Sequence, residues 1–280
     1  MKRNSFWLIL SFFLIFCNVA NSSPTHPILK EESVAVVLNE QRDETYRKLL
    51  SASVRISSNG GAGSGTICHY DFESNQAYVI SCGHLWSGNK EYAPNQNISA
   101  KIVVWYHNDA KLETPETHDA EVLFWSNERG YDVSLLRFKP SWKPVFFPVS
   151  SKSIQKGQIL NSVGCDGGKE VARYEVVVKE LRNPDIITIK NSPRPGRSGG
   201  GLITNEGEIV GICWGTSDIS SGDGIGYFTP FHSIKKVFSD NNHSWILDSR
   251  RKAEIMPIKD WTPGIRKLEF VPMPNLAVNF

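Results

Sequence analysis

Tyr78-Val79-Ile80-Ser81-Cys82-Gly83-His84 changes character within a few residues: a β-rich run gives way to small residues and then to an imidazole. Aromatic and β-branched side chains pack well on a pleated surface, so the run reads as a strand. The histidine then stands just past a strand end, where it can serve a cleft as a general base. Outward from it the hydrophobic period stays near two. Val54 and Ile56 alternate with Arg55 and Ser57, and Lys101 to Tyr106, Ala120 to Trp125 and Val133 to Phe138 are further β-rich runs. The stretch from Asn59 to Gly65 is read as a glycine-rich turn.

A connection over about 139–158 follows, in which Pro140, Pro144 and Pro148 break helix and ladder alike. Beyond it lie Leu160 to Val163, Ala172 to Glu180, Ile186 to Lys190, Leu202 to Thr204, Glu208 to Trp214 and Tyr227 to Thr229, all with strand character. Helical periodicity is confined to Glu31 to Leu50 and to short segments near Ile234 to Phe238 and Ser244 to Leu247. Regular alternation of strand and helix, the mark of a parallel α/β sheet, is missing. The fold expected is all-β: two antiparallel six-stranded β-barrels, with a short N-terminal helix and a C-terminal helical and tail segment. Closing each sheet removes its edges.

The chain has 280 residues, a formal net charge of +2 and 21% charged residues. That balance points neither to a nucleic-acid partner nor to a disordered chain. Lys2 and Arg3, the apolar run Phe6 to Cys17, and small residues at Ala20 and Ser22 have the order of a secretory signal peptide. The run is short for a membrane span, which takes roughly 20 apolar residues. Phe16 stands where a lipoprotein signal needs a small residue, which argues against lipidation of Cys17. The expected organisation is a signal peptide at 1–22, an N-terminal extension with a helix at 23–50, a catalytic domain at 51–248 and a proline-rich tail at 249–280. Within the domain the barrels fall at about 51–140 and 155–240. Export to the periplasm or medium permits disulfides. Cys68, Cys82, Cys165 and Cys213 fit no zinc spacing, and a Cys68–Cys82 bridge and four buried free thiols both suit the pattern.

Two further segments carry chemistry. Gly196-Arg197-Ser198-Gly199-Gly200 sets a serine in a glycine-rich turn, where main-chain N–H groups can face a developing oxyanion. Tyr131-Asp132-Val133-Ser134-Leu135-Leu136 sets a carboxylate directly before an apolar strand, able to fix an imidazole tautomer. Each is weak alone. Together they run His84, Asp132, Ser198, the chain order of the chymotrypsin triad, with two members in the first set of strands and one in the second.

The chain resembles the trypsin-like peptidases, and within them the bacterial HtrA type. Gly63-Ser64-Gly65-Thr66-Ile67 is similar to the strand ahead of the histidine. Glu208 to Ile212 and Gly224 to Pro230 are similar to the pocket walls. The segment after Asp240 is too short for a PDZ domain. The resemblance implies a serine endopeptidase acting on polypeptide substrates through His84, Asp132 and Ser198, with no cofactor and no metal. It implies an oxyanion hole from the N–H groups of Gly196 and Ser198, and an S1 pocket lined by Ser192, Trp214, Gly215 and Gly226. No acidic residue lies between Thr188 and Leu202, so uncharged P1 side chains are expected.

Arg197 departs from the digestive peptidases, which carry an acid there to pair with a new amino terminus. An arginine cannot make that pair. The oxyanion hole is therefore expected to form without propeptide cleavage, with Arg197 held by Glu170, Glu175 or Asp166. Two competing readings remain. Gly196 to Gly200 also fits the nucleophile elbow of an α/β-hydrolase esterase, which would enlist Asp218 or Asp223 and His232 or His243 and leave His84 and Asp132 idle. The other is a catalytically inactive binding module on a protease fold. Such modules usually lose a triad member, and here all three are present.

Overall fold

Alternation of side chains across the pleat decides the first strand: in β1 (Ser53–Ser58), Val54 and Ile56 are buried while Arg55 is half-buried. The computed structural model describes residues 44, 46–58, 61–87, 98–105, 107–108, 111–112, 115–182, 185–217 and 224–247. The signal peptide at 1–22, the extension as far as residue 43 and the tail at 249–280 lie outside the described residues. Of the N-terminal helix expected over Glu31 to Leu50, the described part is helical over 46–51 (α1).

β2 (Gly61–Asp71) and β3 (Gln76–Ser81) form a hairpin after β1. Asp71 shapes its turn by accepting the Glu73 N–H at 3.0 Å, and Asn75 takes the left-handed φ of 51°. α2 (His84–Ser87), β4 (Ile98–Val104) and a two-residue pair, β5 (His107–Asn108) with β6 (Lys111–Leu112), come next. β7 (Glu116–Ser126) and β8 (Val133–Phe138) complete a closed barrel in the order β1-β2-β3-β8-β7-β4.

The second barrel is built from β9 (Ile159–Cys165), β10 (Val171–Arg182), β11 (Asp185–Ile189), β12 (Gly201–Ile203), β13 (Ile209–Thr216) and β14 (Gly226–Pro230). It closes in the order β10-β11-β14-β13-β12-β9. Every ladder between named strands of the two barrels is antiparallel. The two six-stranded barrels match the expected all-β class, and they exclude the α/β-hydrolase reading, which needs a parallel sheet. Asp218 and Asp223, which that reading would have used, lie outside the described residues.

The reading of the glycine run as a turn is corrected, while the strand implied by the resemblance for Gly63 to Ile67 is present. Gly61 to Gly65 is the start of β2 and not a turn. A Cβ at Gly65 would meet Val79 Cγ1 at 2.5 Å and Ile56 Cδ1 at 2.9 Å, so glycine is there because neighbouring side chains fill the space.

Barrel 2 has its own core of Leu160, Val176, Val178, Ile186, Leu202, Val210, Cys213 and Phe228. The larger core fills barrel 1 and crosses the seam to Val163, Cys165, Ile209 and Ile212. α3 (Phe231–Asp240) follows β14 and buries Ile234, Val237 and Phe238, the last edge-on to Phe124 of β7 at 5.3 Å. The crossover is laced to both barrels. Phe147 N–H donates to Ile67 O at 3.0 Å, and Ile209 N–H donates to Pro148 O at 2.8 Å. These ties hold the seam, where the candidate site lies.

Candidate active site

β3 ends at Ser81 and delivers His84 three residues later, at the first position of α2. The bend needs Gly83, because a Cβ there would overlap the Ser126 backbone. Asp132 sits one residue before β8 and is 7% exposed. Its Oδ1 accepts the N–H groups of Gly83 at 2.6 Å and His84 at 2.8 Å, and its Oδ2 lies 2.7 Å from His84 Nδ1. An ionised carboxylate only accepts, so the proton on the ring sits at Nδ1 and Nε2 is left as the acceptor. The His84 side chain is 36% exposed, so the ring is partly open to solvent.

Cys82 Sγ lies 3.6 Å from that Nε2, a contact the sequence did not signal. Burial pushes the Cys82 thiol well above its usual range, so it stays neutral and is at most a weak donor to the ring. Cys82, His84 and Asp132 offer ligand atoms all within 4.8 Å of one another. The carboxylate is already taken by three N–H groups and the thiol resists ionisation, both of which weaken the trio as a set of cation ligands.

Ser198 comes from the turn between β11 and β12, held by Arg197 N–H to Arg194 O at 3.0 Å, Gly199 N–H to Cys213 O at 2.8 Å and Gly200 N–H to Arg197 O at 2.8 Å. Among the described residues, no main-chain carbonyl accepts the N–H of Gly196 or of Ser198. These are the two donors expected for the oxyanion hole. The turn rests on Ser64 of β2 and on the end of β3. Ser198 O accepts the Ser64 N–H at 2.7 Å, and a Cβ at Gly199 would overlap Ser64 O and Ser81 Oγ and lie 3.1 Å from Cys82 N. The fold thus bonds His84 to Asp132 directly and sets the Ser198 turn against the strand end that carries His84. Ser64 was missed as a site residue. Its Oγ donates to Gly196 O at 2.7 Å and accepts the Cys165 N–H at 2.7 Å.

Arg197 is 1% exposed, not a solvated loop residue. Its Nε donates to Asp166 Oδ1 at 2.9 Å, its Nη1 donates to Ser162 O at 3.2 Å, and its guanidinium lies 4.4 Å from the Tyr174 ring centroid. Of the three carboxylates considered for it, Asp166 is the partner. Glu175 pairs with Arg173 at 2.8 Å and Glu170 is exposed.

The four expected pocket residues lie along β13, β14 and the turn after β11. Ser192 is buried, and Gly215 faces open space. Gly226 is crowded: a Cβ there would meet Thr188 Oγ1 at 2.7 Å and Pro193 Cδ at 2.8 Å. Trp214 stacks near Tyr227 at 5.2 Å and donates its indole N–H to Asp185 Oδ1 at 3.0 Å. Burial pushes the Asp185 carboxyl up, partly offset by the indole N–H it accepts. Cys68, Cys82, Cys165 and Cys213 are all free and buried, so the Cys68–Cys82 bridge is not formed.

The trypsin-like peptidase domain is the family whose profile matches, over residues 63–212. The chain is 27% identical over 247 residues to the serine protease Do-like HtrA of Lactococcus lactis subsp. lactis, covering 78% of this chain and 57% of that protein. In fold it is similar to the serine endoprotease from Yersinia pestis, with a TM-score of 0.52 at 17% identity, covering 71% of this chain and 65% of that one. The chain therefore spans less than two thirds of the length of either relative.

Proposed function

The chain belongs to the trypsin-like peptidase family, and from that premise we propose that it is a serine endopeptidase working through Ser198, His84 and Asp132. The observation that carries the reading is the His84 Nδ1–Asp132 Oδ2 bond of 2.7 Å beside a serine turn with two uncommitted N–H groups. His84 Nε2 takes the Ser198 hydroxyl proton as the oxygen attacks the scissile carbonyl. Asp132 keeps the ring in the required tautomer and stabilises the imidazolium that forms. The N–H groups of Gly196 and Ser198 hold the oxyanion. His84 returns the proton to the leaving amine, and water then releases the acyl group from Ser198 by the same steps in reverse.

Ser192, Trp214, Gly215 and Gly226 form the P1 pocket in this reading. With no acid between Thr188 and Leu202, a buried cationic P1 side chain would lack a counter-charge. Residues 1–22 act as an export signal and the enzyme works in the periplasm or medium. No helix among the described residues is long and apolar enough to cross a membrane.

The test is Ser198→Ala. Peptide turnover should fall by about 10⁶, the scale of a lost triad nucleophile, with the thermal transition retained. Turnover near that of the wild type would overturn the reading.

A further inference from the structure

Digestive peptidases shape the oxyanion loop with an ion pair made after cleavage; here three consecutive residues of the loop are tied down within the chain. Pro195 O accepts the Gly167 N–H at 2.6 Å, Gly196 O accepts Ser64 Oγ at 2.7 Å, and the Arg197 side chain reaches Asp166 at 2.9 Å. We propose that the 3-10 turn Asp166–Gly168 is a built-in lock on the oxyanion hole, with Asp166 acting through Arg197 as a positioning residue. The proposal rests on the peptidase reading above.

Peptide geometry gives the lock its effect. In a trans peptide the C=O and the following N–H point to opposite sides. Fixing Pro195 O on Gly167 turns the Gly196 N–H the other way. Arg197 O is fixed by Gly200 N–H at 2.8 Å, which turns the Ser198 N–H likewise. Both donors are therefore aimed by carbonyls bonded behind them. The approach is backbone to backbone: a Cβ at Gly196 would overlap Cys165 O and lie 2.6 Å from Gly168 N. The turn can present its N–H so closely because Gly167 and Gly168 take φ of 61° and 68°. Gly168 O in turn accepts Arg55 Nη1 at 3.0 Å, which anchors the lock on β1.

Arg197 supplies the latch. A guanidinium this buried needs a counter-charge, and Asp166 is the carboxylate bonded to it. Without that charge the side chain gains by leaving for solvent, and it takes the peptides on either side of it along. The pair thus does, without processing, what a new amino terminus does for an acidic residue at the same position.

The experiment compares wild type, Asp166→Asn, Asp166→Glu and Arg197→Met for peptide turnover and thermal melting. Asp166→Asn should lower kcat by about 10², the scale of one lost oxyanion donor, with KM within about two-fold. A KM change alone would mean a substrate contact, not a positioned hole. Asp166→Glu, which keeps the charge, should recover part of the loss. A kcat for Asp166→Asn within about three-fold of the wild type, or a loss confined to KM, would overturn the proposal. If Asp166→Asn fails to fold, Arg197→Met decides by the same criterion, since it removes the bonds that tie residue 197 to Asp166 and Ser162 and leaves no unpaired buried cation at that position. A wild type that neither cleaves peptides nor takes up a fluorophosphonate would overturn the peptidase reading itself, a result distinct from active wild type with an indifferent Asp166.

Discussion

Replacing Asp132 by asparagine changes one atom and leaves the shape, so the outcome depends on which way the amide faces. Oδ1 accepts two main-chain N–H groups, from Gly83 and His84, at 2.6 and 2.8 Å. An amide turned with its NH₂ toward them would leave two donors facing a donor, at about 1–3 kcal/mol for each one unmatched. The amide oxygen therefore stays on the Oδ1 side, and the NH₂ is directed at His84 Nδ1. That nitrogen must then accept, so the ring proton moves to Nε2. The base has lost the lone pair with which it would take the Ser198 proton. On the precedent of the same change in a triad, turnover should drop by about 10⁴, or roughly 5.4 kcal/mol at 1.36 kcal/mol per decade. The assay is kcat on a fixed peptide at neutral pH, with circular dichroism to verify the β-rich fold. A rate within about ten-fold of the wild type would show that Asp132 does not set the tautomer.

Gly199→Ala should abolish turnover and lower the melting temperature. Its φ of 86° and the overlap with Ser64 O and Ser81 Oγ force the serine turn off the end of β3, and an unchanged melt with full activity would contradict that packing. A peptide-library profile should favour uncharged P1 residues, and a strong preference for Arg or Lys would mean that an acid outside 188–202 reaches the pocket. Burial pushes the Cys68, Cys165 and Cys213 thiols up to about 12 from 9.0. Unfolded thiols ionise first as pH rises, so the unfolded state holds fewer protons between about 9 and 12 and stability falls there, by about 1 kcal/mol per thiol per pH unit. Denaturant melts at pH 8 and pH 10 should show the decline, and equal or greater stability at pH 10 would refute it.

Where the sequence was legible, the physics was local. Val54 and Ile56 show a two-residue period because one side of β1 faces the barrel interior. The prolines at 140, 144 and 148 mark the crossover because they cannot serve a ladder. His84 and Asp132 were legible by their places beside strand ends, before any contact between them was known. Glycine was the misleading residue. Gly63 and Gly65 are glycines because Leu85, Ser198 O, Val79 and Ile56 occupy the space of a Cβ, and such crowding leaves no mark on local sequence. Arg197 was hidden for a similar reason. A charged residue between glycines reads as solvated, and only the fold reveals that Asp166, Ser162 and Tyr174 converge on it. The resemblance marked Ser64 as part of a strand and not of the site, since its role is a hydroxyl placed between Gly196 O and the Cys165 N–H across the seam.

The central claim is that Ser198 is the nucleophile of an active endopeptidase, and a fluorophosphonate probe tests it most directly. Such a probe reacts with a serine only when a base and an oxyanion hole activate it. Purified protein treated with the probe and mapped by peptide mass spectrometry should carry one adduct, on Ser198. The adduct should be absent from Ser198→Ala and slowed by orders of magnitude in His84→Ala. No adduct on folded protein, or an adduct on another serine, would contradict the account.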